Sequence, residues 1–198
     1  MLERSKQLLY GLFVVSATLL AGCVVGTGLD STPMALNLAG ERIDPLQESP
    51  AATTVLVFVR TDCPISNRYV PQIKRLGQKF SDHAVKFYLV YPNPDVTVGQ
   101  IKDHQDEYGL QYAVLRDPQH VWVDMTGVTV TPEVVIFDVK RQMVYRGRID
   151  NRHVDFGVTR AFATQHDLER ALETIVAGKK PKPATTTAVG CFILDLKS

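Results

Sequence analysis

Thr54-Val55-Leu56-Val57-Phe58-Val59-Arg60-Thr61-Asp62-Cys63-Pro64-Ile65-Ser66 is the stretch on which the fold turns. Residues 54–59 form a continuous β-branched and apolar run, as in a strand covered on both faces. Residues 67–80 follow with Tyr69, Ile73, Leu76 and Phe80 on one helical face. Between the two, Cys63 falls at a helix cap with Pro64 in the first turn, where a missing N–H has no consequence. The unpaired N–H groups and the dipole of that helix favour a thiolate. Asp62, next in sequence, opposes it. A lone cysteine is commonly a buried, inert residue. Its place after a strand and before a helix, with proline following, predicts a reactive thiol instead.

Working outward, residues 84–91 read as a second buried strand, 98–108 as a helix and 112–115 as a short strand. Val134-Val135-Ile136-Phe137 and residues 143–149 flank the polar turn 138–142, a hairpin pattern. In the last helix Leu168, Ala171, Leu172, Ile175 and Val176 keep helical spacing. Thr164 is its expected cap, with Asp167 three residues on, and Gly178 its stop. The order β-α-β-α-β, hairpin, α predicts an α/β fold with a central mixed β-sheet flanked by helices. Residues 151–165 and 179–190 read as connectors, and Trp122, between Val121 and Val123, as a core residue.

At the N-terminus Arg4 and Lys6 precede the apolar run 8–20. That run is shorter than the roughly 20 residues of a membrane span and suits a signal peptide. It ends in Leu20-Ala21-Gly22-Cys23, which resembles the bacterial lipobox, whose cysteine is acylated and becomes the first mature residue. An ordinary signal peptide with an incidental cysteine is the alternative; agreement at four positions favours lipidation of Cys23. The expected divisions are a leader at 1–22, a tether at 23–33, a domain at 34–178 and a tail at 179–198. The expected location is the extracytoplasmic face of the bacterial cell envelope. Formal net charge is +1, with both signs interspersed, which leaves no footprint for nucleic acid. Membrane contact is expected through lipid on Cys23.

With Cys23 assigned to lipid, two thiols remain, Cys63 and Cys191. An exported compartment favours disulfide chemistry between them. At about 3 Å per residue the proline-bearing stretch 179–190 spans about 36 Å, comparable to a domain of this size. Cys191 can therefore reach Cys63 and act as a resolving thiol, or remain a free cysteine on a tail packed elsewhere. Such a bridge is worth on the order of 4 kcal/mol in the chain-entropy model. The five histidines, His83, His104, His120, His153 and His166, have no metal-ligand spacing and read as surface residues. No metal or cofactor is expected. The run Arg146-Gly147-Arg148-Ile149-Asp150-Asn151-Arg152 reads as a solvated strand end and loop.

Cys63-Pro64-Ile65-Ser66 resembles the C-x-x-C site of the thioredoxin superfamily in a C-x-x-S form. Pro71 matches that superfamily's helix-kinking proline, and Thr131-Pro132 before Glu133-Val134-Val135 looks like its cis-proline loop. The wide spacing from Cys63 to Pro132 leaves room for an inserted strand and helix, as in redoxins. That group includes the alkyl hydroperoxide reductase/thiol-specific antioxidant proteins and membrane-tethered thiol-disulfide oxidoreductases. The resemblance implies a catalytic Cys63 thiolate, a substrate platform at Thr131 and Pro132 beside Pro64, and Ser66 as a hydrogen-bond donor to the sulfur. Ser66 cannot close a disulfide, so Cys63 is left to mixed disulfides or oxidised forms unless Cys191 resolves them. Peroxiredoxins carry Thr or Ser three residues before their cysteine, where Arg60 stands here, and usually lack the cis-proline. The leading expectation is a lipid-anchored thiol-disulfide oxidoreductase with a thiol or disulfide protein partner or electron donor in the envelope. A peroxiredoxin-like antioxidant and a non-catalytic binding module are the alternatives.

Overall fold

The computed structural model describes residues 33–194 and 196; the expected leader, the lipid site Cys23 and all but the end of the tether lie outside them. The chain opens with β1 (Ala35–Leu36), β2 (Arg42–Ile43) and the short helix α1 (Pro45–Glu48). Then come β3 (Thr53–Phe58), α2 (Pro64–Lys79), β4 (Val85–Tyr91), α3 (Val98–Tyr108) and β5 (Ala113–Arg116). After α4 (Val121–Thr126), β6 (Val130–Thr131) leads into β7 (Glu133–Phe137) and β8 (Met143–Gly147). A small hairpin of β9 (His153–Asp155) and β10 (Val158–Thr159), the helix α5 (Asp167–Val176) and β11 (Cys191–Phe192) complete the order.

Among the described residues one sheet holds seven strands, in the order β2-β1-β5-β4-β3-β7-β8. β3, β4 and β5 run parallel, whereas β7 is antiparallel to β3 and β8 to β7, so the sheet is mixed. Every residue of β3 is buried, as its unbroken apolar run requires. Val55 and Val57 face a core completed by Tyr69, Ile73 and Leu76 of α2, Ile101 of α3 and Leu168 and Leu172 of α5. Leu56 and Phe58 face the opposite layer with Tyr88, Val90, Val135 and Trp122 of α4. Each fully buried Leu, Ile or Phe contributes about 1.5–3 kcal/mol. The alternation of side chains along β3 thus serves two cores at once. Trp122 packs edge-to-face on Phe137 at 6.0 Å.

Several local expectations change. α2 starts at Pro64, three residues earlier than its apolar pattern, because Cys63 caps it. α5 starts at Asp167 with His166 in the cap position. Thr164 does not cap; its hydroxyl accepts from Asn151 Nδ2 at 2.8 Å, while Asn151 Oδ1 accepts from the amides of Thr164 and Gln165. The stretch 151–165, expected to be irregular, contains the β9–β10 hairpin. The stretch 179–190, expected as a connector, is tied to the sheet at residues 184–186. Arg146 N donates to Ala184 O at 2.9 Å and Thr186 N to Arg146 O at 3.0 Å, so the chain lies along the edge of β8. The Thr186 hydroxyl accepts from Arg148 N at 3.1 Å and shares a hydrogen bond with Tyr145 at 2.8 Å.

His104, His120 and His153 are buried, against the surface expected of them, while His83 and His166 are exposed. Nor is the run from Arg146 a solvated end. Arg148 Nε pairs with Asp167 at 2.7 Å, and buried Asp150 accepts from Tyr69 at 2.6 Å. β1, β2, α1 and α4 were too short to leave a periodic signal.

Candidate active site

Cys63 lies between the end of β3 and the start of α2. Its extended backbone (φ −89°, ψ 110°) makes it the cap, and its Sγ accepts from Ser66 N at 3.4 Å. Pro64 occupies the first helical position, and Pro71 interrupts the helix interior, where it withholds an N–H from the carbonyl of Asn67. The turn is braced from α3. His104 Nε2 meets Asn67 Oδ1 at 2.9 Å, its Nδ1 meets Tyr91 Oη at 2.9 Å, and Asn67 Nδ2 donates to Thr61 O at 3.1 Å. Burial holds His104 below the ordinary histidine range.

The second wall of the site is the turn from β6 to β7, where the Thr131–Pro132 peptide is cis. Cys63 Sγ donates to Thr131 O at 3.1 Å. Glu133, next along, is buried; its carboxylate accepts from Thr129 N at 3.0 Å and faces Arg146 Nε at 3.6 Å. Burial raises its carboxyl, and the Thr129 amide and Arg146 partly offset the rise.

The third wall is the C-terminal tail. β11 pairs antiparallel with β6, with Cys191 opposite Thr131 and Phe192 opposite Val130. This packs Cys191 against the core cluster that contains Cys63, and both are free thiols. Cys63 is consequently sealed, with none of its surface exposed. Arg60 ties the wall down: Nη1 donates to Phe192 O at 3.1 Å, while Nε and Nη2 hold Asp62 at 3.0 and 2.7 Å. The charge of Asp62, expected to oppose the thiolate, is thereby neutralised by a neighbour.

The two sulfurs differ in acidity. Burial pushes the Cys63 thiol up, but the Cys191 thiol and Ser66 outweigh it and leave Cys63 below its ordinary value. Cys191 is pushed up to about 12 by burial and by its bond to Cys63. One thiol is set to ionise and the other to keep its proton. The Thr131 carbonyl works the other way, since it accepts from a thiol and offers a thiolate nothing. The Ser66 hydroxyl is buried and closes no hydrogen bond, which leaves a donor in reserve near the sulfur.

Cys63, Ser66, Thr131, Pro132 and Cys191, named from sequence, therefore meet at one place, with Pro64 at the first helical position after Cys63. Arg60, Glu133 and Gly190 also belong there and were missed as a set. Arg60 marks in the sequence only a departure from the peroxiredoxin pattern, and Gly190 shows its purpose only against the Thr131 backbone. Among the described residues no group of three His, Cys, Asp or Glu side chains is placed to hold a metal ion.

Strand order, the helix capped by Cys63 and the cis peptide facing it define a thioredoxin-like α/β protein. A family model described as Redoxin matches residues 33–161, and the chain belongs to that family. Membership supports oxidoreductase activity. An uncharacterized conserved protein from Geobacillus kaustophilus has the same fold at TM-score 0.73 and 21% identity, over 84% of this chain and 91% of its own. A hypothetical protein from Sinorhizobium meliloti matches at TM-score 0.69 and 18% identity, covering 81% of this chain and 88% of that one. A secreted Mycobacterium tuberculosis disulfide oxidoreductase matches at 0.51 and 19%, covering 74% and 96%. A search of curated protein sequences finds no match.

Proposed function

We propose that the chain is an exported, lipid-anchored thiol-disulfide oxidoreductase in which Cys63 attacks and Cys191 resolves. The observation that carries the reading is the pairing of Cys191 opposite Thr131, the residue whose carbonyl accepts from Cys63 Sγ at 3.1 Å. The Cys63 thiolate attacks one sulfur of a partner's disulfide, forming a mixed disulfide as the partner's other sulfur leaves and takes a proton. Cys191 then gives up its proton and attacks Cys63. The Cys63–Cys191 disulfide forms, and the partner leaves with two thiols. Two electrons pass to the partner, and a dithiol donor in the envelope restores the reduced protein. With a more oxidising partner the same steps run backwards.

Ser66 supplies a hydrogen bond to the thiolate, and Thr131, Pro132 and Pro64 form the platform on which the partner lies. Lipidation rests on Leu20-Ala21-Gly22-Cys23 and the apolar run before it. Among the described residues no helix is long and apolar enough to cross a membrane. The test is to react the reduced protein with a peptide disulfide and with hydrogen peroxide, then map non-reduced tryptic fragments by mass. Exchange with the peptide that ends in a joined Cys63–Cys191 fragment supports the proposal. Peroxide consumption through a Cys63 sulfenic acid, without peptide exchange, selects the antioxidant instead. A Cys63 inert to both selects the binding module.

A further inference from the structure

Two strands can use the open edge of β6 only in turn. Cys191 stands opposite Thr131, Ile193 N donates to Thr129 O at 3.0 Å, and Arg60 Nη1 grips Phe192 O at 3.1 Å. Any extended chain that brings a sulfur to Cys63 while pairing with Val130–Thr131 must lie where these residues lie. The tail is held in the pose of a bound substrate.

Close approach in this pose is possible because residue 190 is glycine. A Cβ there would sit 2.2 Å from Thr131 O, 2.6 Å from Thr131 C and 3.1 Å from Pro132 N. These are backbone atoms, so no rotamer change relieves the clash. Phe192, by contrast, is 66% exposed, and its ring lies 6.1 Å from that of Phe156 between centroids. Ile193 packs against the core layer of Trp122 and Val128. The tail is also anchored just upstream, where Thr186 binds Arg146, Arg148 and Tyr145. Release therefore frees only a short arm, whose effective concentration at β6 stays in the millimolar range typical of short linkers.

Building on the oxidoreductase reading, we propose that Gly190-Cys191-Phe192-Ile193 is a built-in substrate strand that shields Cys63. The partner is an extended protein segment bearing a disulfide cysteine with glycine immediately before it and apolar residues after it. This partner displaces the tail from β6, forms the mixed disulfide with Cys63, and is itself displaced when Cys191 returns to attack. The tail is then both shield and resolving arm, and glycine before the cysteine is the selectivity filter.

The test uses the full chain and needs no redox turnover. Gly190→Val forces the tail off β6 without removing a thiol. Ile193→Pro, a second variant, removes the amide that binds Thr129 O and leaves Gly190 and Cys191 in place. Cys63 alkylation by iodoacetamide, followed on its own peptide by mass, is expected to run about tenfold faster or more in both variants, in step with the population of released tail. A peptide copying residues 188–193 with serine in place of cysteine should bind either variant and compete poorly with the wild-type tail. The same peptide with valine in place of its glycine should not bind. Unchanged alkylation in both variants, or equal binding of the two peptides, overturns the proposal. Because the peptides carry no sulfur, failure of disulfide exchange would count against the oxidoreductase reading alone.

Discussion

Cys191 pairs across an antiparallel bridge with Thr131, the residue whose carbonyl oxygen stands 3.1 Å from the Sγ of Cys63. Positions 63, 131 and 191 are thus brought to a single point by a capped helix, a cis peptide and a returning tail. The Ser66 amide points its hydrogen toward the Cys63 sulfur, and the opposing carbonyl belongs to the peptide that receives the tail.

If Cys191 resolves, removing its sulfur should stall the cycle halfway. Cys191→Ser is expected to accumulate a mixed disulfide between Cys63 and a peptide substrate, visible as a mass adduct that reductant removes. Cys63→Ser should form no adduct. Equal turnover by Cys191→Ser and the wild type would remove Cys191 from the mechanism.

Thiol reactivity should follow the raised acidity of Cys63. Alkylation depends on the thiolate, so its rate against pH should be half-maximal at a lower pH than for the same thiol in the unfolded chain. Ser66→Ala removes the reserve hydroxyl and should move that midpoint upward by up to about one unit, a change of roughly 1.4 kcal/mol. An unmoved midpoint would show that the amide of Ser66 and the Cys191 thiol suffice.

Asp117 predicts a pH dependence of stability. Burial raises its carboxyl to about 6, and the amides of Val123 and Trp122 that bind Oδ2 only partly counter this. Its folded value lies above the unfolded one, so its contribution is complete below about pH 4 and declines as pH rises through about 6. Urea titrations from pH 4 to 7 should show a loss on the order of 2 kcal/mol from this group. Asp117→Asn should flatten that part of the profile.

Gly147 tests whether the strap 179–190 is structural. It lies at φ +145°, and a Cβ there would meet Thr186 O at 2.2 Å. Gly147→Ala should push Thr186 from β8, lower the melting temperature by several degrees for a loss of about 1–3 kcal/mol, and speed trypsin cleavage after Lys179. Unaltered proteolysis would mean the strap adjusts without leaving the strand.

The sequence by itself determined the layered α/β arrangement. A doubly covered strand at 54–59, helical spacing in α2, α3 and α5, and the β7–β8 hairpin are all local patterns, since burial on one or two faces is written directly in residue order. It also determined Cys63 as a helix cap, because strand, cysteine and proline are adjacent in the chain. The tertiary structure alone decided that Cys191 lies opposite Thr131, that Arg60 neutralises Asp62 and grips Phe192, and that residues 184–186 bind β8. It alone decided that three histidines are buried and that Gly190 must lack a side chain. These facts depend on which distant backbone atoms come to lie within about 3 Å, the range of a hydrogen bond, and no periodicity along one segment encodes its partner across the fold.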